Sequence, residues 1–333
     1  MWKMQIMKDR YGRKIEYMRV SVTDRCDLRC RYCMPEGCRK VPMSQILSYE
    51  EIVRICRAAS QLGISRIKIT GGEPFVRLGC TDLIRSIKSI DGIEEVTVTT
   101  NGQTLTRYIS ELKDIGIDGI NISLDTLDPG RFRLITGRGD LEKTINAIDA
   151  SVDAGIKTKV NCLIQKGVND DEIVQLAELA FKKGIDVRFI EMMPIGTADP
   201  ESGLPNSAVF KMIKDKWQEL EPDKTVHGNG PAVYYRMPDK TGGIGFISAM
   251  HDSFCSSCNR VRLTSQGQLK PCLCYEEGTD LKPFLSRSDD ELRTALRDAI
   301  LLKPEAHCFE KICSGDGDEC GNREKRYMSQ IGG

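Results

Sequence analysis

The sequence lacks the features that would direct a protein to a membrane or to nucleic acid. Lysine plus arginine and aspartate plus glutamate each number 48 in 333 residues, so no net charge attracts a polyanion or an anionic lipid surface. No apolar run approaches the length of a membrane span, and the sequence starts without an apolar signal segment. We therefore expect a cytoplasmic protein that binds neither membrane nor nucleic acid.

Histidine is scarce, whereas cysteine is abundant. The only histidines are His227, His251 and His307, and none has a neighbour spaced like a second metal ligand, so we interpret all three as structural. The 14 cysteines include two close groups. In a long chain from a reducing compartment, such groups indicate metal binding rather than disulfides.

The first group is Cys26-x3-Cys30-x2-Cys33. A cubic iron–sulfur cluster has four irons, and a structural zinc ion normally takes four protein ligands. Three cysteines therefore leave one position open, where a [4Fe-4S] cluster could take the amino and carboxylate groups of S-adenosylmethionine. The alternative is a zinc site whose fourth ligand comes from elsewhere, and the spacing alone leaves both interpretations open.

The second group is Cys255-x2-Cys258-x13-Cys272, with Cys274 two residues later. One interpretation is a zinc ribbon that uses all four cysteines, although ligation by both Cys272 and Cys274 is awkward at a separation of two residues. The other interpretation is a second iron–sulfur cluster with an open iron.

Two arginines, Arg260 and Arg262, lie between the cysteines of the second group. Alternation along an extended segment would place both guanidinium groups on one face, where they could bind phosphate. Their position inside a metal-binding loop favours a functional role over a merely solvated face.

Apolar runs alternate with amphipathic stretches through the first two thirds of the chain. The predicted strands are Met18–Val22, Arg66–Thr70, Glu95–Thr99, Gly119–Leu124, Lys157–Ile164 and Asp186–Glu191. The predicted helices are Tyr49–Gln61, Asp82–Ile90, Leu105–Ile115, Leu141–Ala154 and Asp171–Lys183. Six strand–helix units with short connections predict an α/β fold with a parallel sheet, as a partial (β/α)6 TIM-like barrel.

We expect this barrel to occupy residues 1–220. Residues 221–333 are expected to form a smaller C-terminal α+β extension that carries the second cysteine group and ends in a polar, irregular tail. Its predicted elements are strands Ala232–Met237 and Gly245–Ser248 and helix Asp290–Leu301.

Small or polar residues follow the predicted strands of the barrel. The turn Gly71-Gly72-Glu73-Pro74 follows the second strand, and a glycine pair there would let a ligand approach the backbone closely. Thr99 and Ser123 lie at the ends of the third and fourth strands. Since the carboxyl ends of barrel strands form the active-site face, we expect one large shared site there.

Together these residues resemble the radical S-adenosylmethionine superfamily and, within it, the GTP 3′,8-cyclase family (molybdenum cofactor biosynthesis protein A). The cysteine triad with Tyr32, the Gly-Gly-Glu-Pro turn and the six βα units carry the wider resemblance. The narrower resemblance rests on Thr99-Thr-Asn-Gly102, Asn121-Ile-Ser-Leu-Asp125, Lys159-Val-Asn161, Arg188-Phe-Ile-Glu-Met-Met193, Phe254-Cys-Ser-Ser-Cys258, Asn259-Arg-Val-Arg262 and Gly332-Gly333.

The resemblance implies a radical S-adenosylmethionine lyase that makes (8S)-3′,8-cyclo-7,8-dihydroguanosine 5′-triphosphate from GTP, the first step of molybdenum cofactor biosynthesis. A first [4Fe-4S] cluster would cleave S-adenosylmethionine to a 5′-deoxyadenosyl radical, which takes hydrogen from C3′ of GTP. The resulting carbon radical would add to C8, while the open iron of a second [4Fe-4S] cluster binds the guanine.

The family's site residues carry over by position. Cys26, Cys30 and Cys33 would hold the first cluster, and Cys255, Cys258 and Cys272 the second. S-adenosylmethionine would be held by Tyr32, Gly72, Ser123 and Met193. GTP would be held by Arg19, Lys68, Thr99, Lys159, Arg260 and Arg262, the last two supporting the substrate during the reaction. The resemblance also implies a reductant such as flavodoxin or ferredoxin, product delivery to a cyclic pyranopterin monophosphate synthase, and a monomer or homodimer.

Two features depart from the family's pattern. Lys68 stands where the family often has arginine, which keeps the charge and loses the bidentate fork. The tail also carries Cys308, Cys313 and Cys320, to which no role is assigned.

Two alternative functions remain open at this point. One is a radical S-adenosylmethionine enzyme that modifies peptides and carries an auxiliary cluster. The other is a non-catalytic metal or electron-transfer protein, which would have four cysteine ligands at each site.

Overall fold

The computed structural model describes residues 7–34, 37–38, 40–251, 254–309 and 323–332. The strands are β1 (Tyr17–Ser21), β2 (Arg66–Thr70), β3 (Glu95–Thr100), β4 (Gly119–Ser123), β5 (Thr158–Leu163), β6 (Asp186–Ile190), β7 (Glu221–Asp223), β8 (Val233–Arg236), β9 (Gly243–Ile247), β10 (Arg260–Leu263), β11 (Gln268–Lys270) and β12 (Thr279–Asp280). The helices are α1 (Tyr49–Gln61), α2 (Cys80–Lys88), α3 (Ile109–Ile115), α4 (Pro129–Thr136), α5 (Leu141–Asp153), α6 (Ile173–Lys183), α7 (Asn206–Lys216), α8 (Asp289–Leu301) and α9 (Met328–Ile331).

One sheet runs through the described part of the chain in the order β12-β11-β10-β1-β2-β3-β4-β5-β6-β9-β8-β7. Neighbouring strands from β1 to β6 are parallel, and helices connect them on the outside. This arrangement confirms the predicted α/β fold with six consecutive strand–helix units. The predicted bounds of the six strands differ from the observed ones by no more than one residue at either end.

The C-terminal strands join this same sheet at both of its edges. β10 pairs in parallel with β1, and β9 pairs in parallel with β6. The second cysteine group therefore lies directly beside the first strand of the barrel, although more than 200 residues separate the two in sequence. The domain boundary near residue 220 stays a prediction.

The core lies between the sheet and its outer helices. Alternating strand residues such as Ile67, Val98 and Ile122 are completely buried against helices whose apolar faces point inward. Helix α1 begins where predicted, because Ser48 and Glu51 form a capping box.

Three points of the helical prediction need correction, and the first is that helix α7 (Asn206–Lys216) was not predicted. The predicted helix from Leu105 begins only at Ile109, since a 3-10 turn at Leu105–Arg107 precedes it. Helix α4 was not predicted; its N-cap is Asp128, whose side chain accepts a hydrogen bond from the Arg131 backbone.

The tail was predicted to be irregular, and residues 310–322 and 333 lie outside the described part. Within the described part, Met328–Ile331 form the helical turn α9. In the described residues there is no helix that is long and apolar enough to span a membrane.

Candidate active site

A cavity of about 320 Å³ opens among the first six strands. Five of the six residues predicted to hold GTP line it, namely Arg19, Lys68, Thr99, Lys159 and Arg260. Register explains why they meet: Arg19 lies opposite Lys68 on the neighbouring strand. The segment 227–232 forms a further wall of the cavity.

Positive charge dominates one side of this cavity. Burial lowers the pKa of Lys68 well below its ordinary value, and the nearby Arg188 and Arg19 lower it further. Burial also lowers the pKa of Arg19. Cations that are buried close together repel one another, and an anion placed among them would relieve that repulsion. The cavity is therefore built for a strongly negative ligand.

The sixth predicted GTP residue, Arg262, is absent from the cavity lining among the described residues. It lies opposite Arg19 in the register of β1 and β10. Its Nη1 donates a hydrogen bond of 2.8 Å to the Gly332 carbonyl, in a buried position. Arg262 therefore ties the C-terminal end of the described chain to the sheet beside the cavity.

The three cysteines of the first group follow β1 and are partly exposed. Burial raises the pKa of Cys30 well above its ordinary value, and the neighbouring Cys33 and Cys26 raise it further, so the three thiols lie close together. Burial also raises the pKa of Cys33 to about 12. A hydrogen bond from the backbone of Ser329, on α9, acts in the opposite direction and lowers this pKa. The tail thus contacts the first cysteine group as well as Arg262.

Carboxylates surround this first cysteine group. Burial raises the pKa of Glu73 to about 8, and its oxygens accept hydrogen bonds from the Thr100 hydroxyl at 2.8 Å and the Asn101 backbone at 2.7 Å. The Asn101 side chain in turn donates to Asp27 at 2.7 Å. Burial raises the pKa of Asp125 to about 6.

The residues predicted to hold S-adenosylmethionine lie on the loops after β1, β2 and β6 and at the end of β4. The Tyr32 hydroxyl donates a hydrogen bond of 2.7 Å to Asp125. Ser123 is the last residue of β4, and Met193 packs against a small apolar cluster that includes Ile195 and Ile331.

The glycine pair after β2 has a structural reason that the sequence did not reveal. We expected Gly71 and Gly72 to admit a ligand, whereas the chain itself occupies that space. A Cβ on Gly72 would lie 2.3 Å from the Arg25 carbonyl oxygen, and one on Gly71 would lie 2.7 Å from that of Thr23. The pair lets the loop that carries the first cysteines pack against the end of β2.

The second cysteine group lies in cationic surroundings. Burial opposes ionisation of Cys258, yet Lys303 and Arg260 outweigh it and hold its pKa below the usual value. Burial raises the pKa of Cys272, against the effect of the same lysine. Lys303 is fixed there by donating to the carbonyl groups of Arg260 at 2.8 Å and Pro271 at 2.7 Å.

Cys274 is more deeply buried than the three cysteines of this group, and its backbone donates a hydrogen bond to Cys272. It is 1% exposed and belongs to the small apolar cluster with Ile195 and Ile331. Its Sγ lies 3.5 Å from the Sγ of Cys308. Cys313 and Cys320 lie outside the described residues.

The donor chemistry of the two triads suits iron–sulfur ligation. Among the described residues, no group of three or more histidine, cysteine, aspartate or glutamate side chains is spaced to hold one metal ion. The thiols of each triad nevertheless lie near enough to affect one another's ionisation. Three sulfur ligands without histidine are typical of iron–sulfur sites.

Several residues at the site were not predicted. Arg188 lines the cavity and donates a hydrogen bond to the Asn121 side chain, and Asp186 and His227 surround Lys159. His227 was interpreted as structural, because it has no neighbour spaced like a second metal ligand. Lys303 is a single lysine with no motif around it, so nothing in the sequence marked it.

Two family descriptions match the sequence in succession. Residues 20–180 match the radical SAM superfamily, and residues 185–309 match Molybdenum Cofactor Synthesis C. Proteins named GTP 3′,8-cyclase match almost the whole chain. That of Clostridium perfringens strain SM101 is 42% identical over 330 residues, which are 98% of this chain and 100% of the relative. That of Alkaliphilus oremlandii is 43% identical over 329 residues, again 98% and 100%.

The fold also has a counterpart among solved structures. Streptococcus suis SuiB, crystallised with S-adenosylmethionine, superimposes with a TM-score of 0.65 at 15% identity. The match covers 90% of this chain and 74% of that one. At this identity the similarity concerns the fold.

Proposed function

Because the chain belongs to the GTP 3′,8-cyclase family of the radical S-adenosylmethionine superfamily, we propose that it converts GTP to the 3′,8-cyclised nucleotide, the first step of molybdenum cofactor biosynthesis. The observation that carries the proposal is the cation-lined cavity beside the second cysteine group. Arg260 belongs to both: it lines the cavity and lowers the pKa of Cys258.

The first cysteine group would hold a [4Fe-4S] cluster through Cys26, Cys30 and Cys33. When bound, this cluster and S-adenosylmethionine supply the electron and the 5′-deoxyadenosyl radical that begin the reaction. The remaining chemistry of the site concerns how the chain binds its two small molecules and keeps water away.

S-adenosylmethionine would be held by Tyr32, Gly72, Ser123 and Met193. Its amino group and sulfonium are cationic, and a cation bound near the cysteine loop would favour the ionised forms of Glu73 and Asp125, whose pKa values burial raises. The hydrogen bond from the Tyr32 hydroxyl to Asp125 orients the Tyr32 ring within the loop of the first cysteine group. Met193 offers an apolar surface on which an adenine ring can pack.

GTP would occupy the cavity with its triphosphate among the cations. A triphosphate needs several positive charges close together, and Arg19, Lys68, Lys159 and Arg188 supply them inside a chain of zero net charge. Thr99 offers a hydroxyl at the same wall. Arg262 would act through the chain end: by fixing Gly332, it places the tail between the cavity and the first cysteine group.

A second [4Fe-4S] cluster on Cys255, Cys258 and Cys272 forms part of the proposal, with its open iron toward the guanine. Lys303 and Arg260 favour the thiolate form of Cys258, which iron ligation requires. Enclosing GTP in the cavity would also protect a carbon radical from side reactions with solvent.

The proposed partners follow from this chemistry. The first cluster needs a low-potential reductant such as flavodoxin or ferredoxin, and the cyclised product would pass to a cyclic pyranopterin monophosphate synthase. We propose the cytoplasm as the compartment, because iron–sulfur chemistry needs reducing conditions. The chain would act as a monomer or homodimer.

One experiment tests the activity directly. Both clusters are reconstituted without oxygen, the protein is reduced, and S-adenosylmethionine is added with and without GTP. We expect 5′-deoxyadenosine together with a cyclised nucleotide whose mass equals that of GTP. Cleavage that never consumes GTP would contradict the proposal and favour a peptide substrate. No cleavage at all, with both clusters verified by iron analysis, would favour a non-catalytic protein.

A further inference from the structure

Lys159 of β5 has an unusually complete set of partners for a lysine in a ligand cavity. Its Nζ lies 2.7 Å from Asp186 Oδ2, and it donates to the His227 carbonyl at 2.6 Å and the Tyr234 hydroxyl at 3.1 Å. An ammonium group has three N–H donors, so each has an acceptor. The side chain is 9% exposed and still lines the cavity.

Asp186 is held in place from its other side. Its Oδ1 lies 2.9 Å from His227 Nδ1, so one carboxylate oxygen contacts the lysine and the other contacts the histidine. His227 is itself fixed, because its Nε2 lies 2.8 Å from Asp223 and its ring stacks on Tyr234 at 3.9 Å between centroids. The carboxylate therefore cannot turn away from Lys159 without losing a second contact.

Lys68 provides a contrast inside the same cavity. Among the described residues it forms no ion pair within 4.0 Å, and burial lowers its pKa well below the ordinary value. Burial also lowers the pKa of Lys159, but there Asp186 is the strongest opposing influence. The two lysines share a cavity and differ in whether a carboxylate is fixed beside them.

We infer that Asp186, braced by His227, is a positioning residue that keeps Lys159 protonated and fixes its amine in the cavity wall before a ligand arrives. The part of this inference that concerns the triphosphate rests on the proposed function, whereas the charge state of Lys159 does not. The other charged or titratable groups around Lys159 are Lys68, Glu95, Arg188, Tyr234 and His227.

The charge state can be measured on the ligand-free holoenzyme. Trace labelling with acetic anhydride across pH 7 to 10, read by mass spectrometry at each lysine, reports the pH at which Lys159 becomes nucleophilic. We expect Asp186→Asn to lower that pH by about one unit or more, since a neighbouring carboxylate commonly shifts a pKa by this amount. Asp223→Asn is the matched control, because it removes a carboxylate from His227 but leaves the one beside Lys159.

Two results of the labelling would overturn the inference. One is an unchanged labelling midpoint in Asp186→Asn. The other is an equal shift in Asp223→Asn, which would assign the effect to local packing around His227. Circular dichroism and iron content of each variant show that it has folded with its clusters.

The consequence for the nucleotide is tested by equilibrium binding of GTP at pH 7.5 and pH 9. Relative to the parent protein, Asp186→Asn should lose about fourfold more affinity over this interval, because a one-unit lower pKa reduces the protonated fraction of Lys159 more at pH 9 than at pH 7.5. Adding Lys159→Arg to Asp186→Asn should abolish this extra loss, because arginine stays charged. A labelling shift without a change in GTP binding would overturn the role of Lys159 toward the triphosphate. A parent protein that binds no GTP would contradict the proposed function, while the labelling result would still decide the role of Asp186.

Discussion

The two cysteine triads of this protein contain the same number of thiols and differ in their electrostatic surroundings. Around the first triad, burial and then Glu73 raise the pKa of Cys26, and burial followed by the other thiols and Asp125 raises that of Cys30. Around the second triad, Lys303 and Arg260 outweigh burial and lower the pKa of Cys258. Carboxyl groups therefore lie near the first triad, and cations lie near Cys258 of the second.

The difference matches the charges of the two small molecules that the proposed reaction uses. S-adenosylmethionine brings a sulfonium and an amino group, which suit the acidic surroundings of the first triad. GTP brings a polyanionic tail, which suits the basic surroundings of the second and the cavity that Arg260 shares with it. Ligand number alone cannot separate the two sites, whereas the charges around them can.

The largest expected effect comes from removing one cysteine of each triad, because the two variants should lose different products. Cys30→Ala should reduce the cleavage of S-adenosylmethionine to background, because the first cluster cannot assemble. Cys272→Ala should abolish the cyclised nucleotide and leave cleavage of S-adenosylmethionine measurable. Both products are quantified by liquid chromatography and mass spectrometry after anaerobic reconstitution.

Cys56→Ala is the control for these two variants, since Cys56 is buried in α1 and contacts neither triad. The division of labour would be wrong if Cys272→Ala stopped cleavage as completely as Cys30→Ala did. It would also be wrong if Cys30→Ala continued to release 5′-deoxyadenosine.

A smaller effect is expected from substituting Arg260, which lies in the cavity and also beside the second triad. Arg260→Ala should weaken GTP binding by about tenfold to a hundredfold, the usual range for a lost hydrogen bond to a charged group. Iron content should stay at the parent value, because Lys303 still lowers the pKa of Cys258 when Arg260 is removed. Binding is measured by calorimetric titration.

Arg260→Lys is the matched variant, because it keeps the charge and loses the bidentate fork. The GTP affinity of Arg260→Lys should lie between that of the parent protein and that of Arg260→Ala. Loss of iron in Arg260→Ala would show that the arginine supports the second triad rather than the nucleotide.

Much of this arrangement could be predicted because it depends on local patterns. The alternation of apolar and amphipathic stretches located β1 to β6. The carboxyl ends of neighbouring parallel strands lie at the same edge of the sheet. Thr99 was therefore expected at the shared site, and it lines the cavity. Arg19, Lys159 and Arg260 were implied by the family resemblance, and Arg260 reaches the same cavity through the pairing of β10 with β1.

The rest depends on contacts between residues that are far apart in sequence. Asp186 and His227 are separated by 41 positions, and only the pairing of β5 with β6 and the return of the chain after β7 bring both to Lys159. Lys303 follows α8, so its place beside Cys258 depends on how that helix packs. The reason for Gly72 was also hidden, since the backbone that it admits belongs to the loop before Cys26.

The smallest expected effect concerns Cys274, whose nearness in sequence to Cys272 would suggest a fourth ligand. Its Sγ lies 3.5 Å from Cys308 within an apolar cluster, so its contacts are those of a core residue. Cys274→Ala should therefore leave the iron content unchanged, whereas Cys272→Ala should lose the iron of one cluster. The truncation should cost about 1 kcal/mol of unfolding free energy, because it removes one small buried atom. Iron analysis of both variants, with chemical denaturation of Cys274→Ala, measures these outcomes.

Equal iron loss in the two variants would give the second cluster four cysteine ligands. It would then have no open iron for guanine, and the cationic surroundings of the second triad would need another explanation.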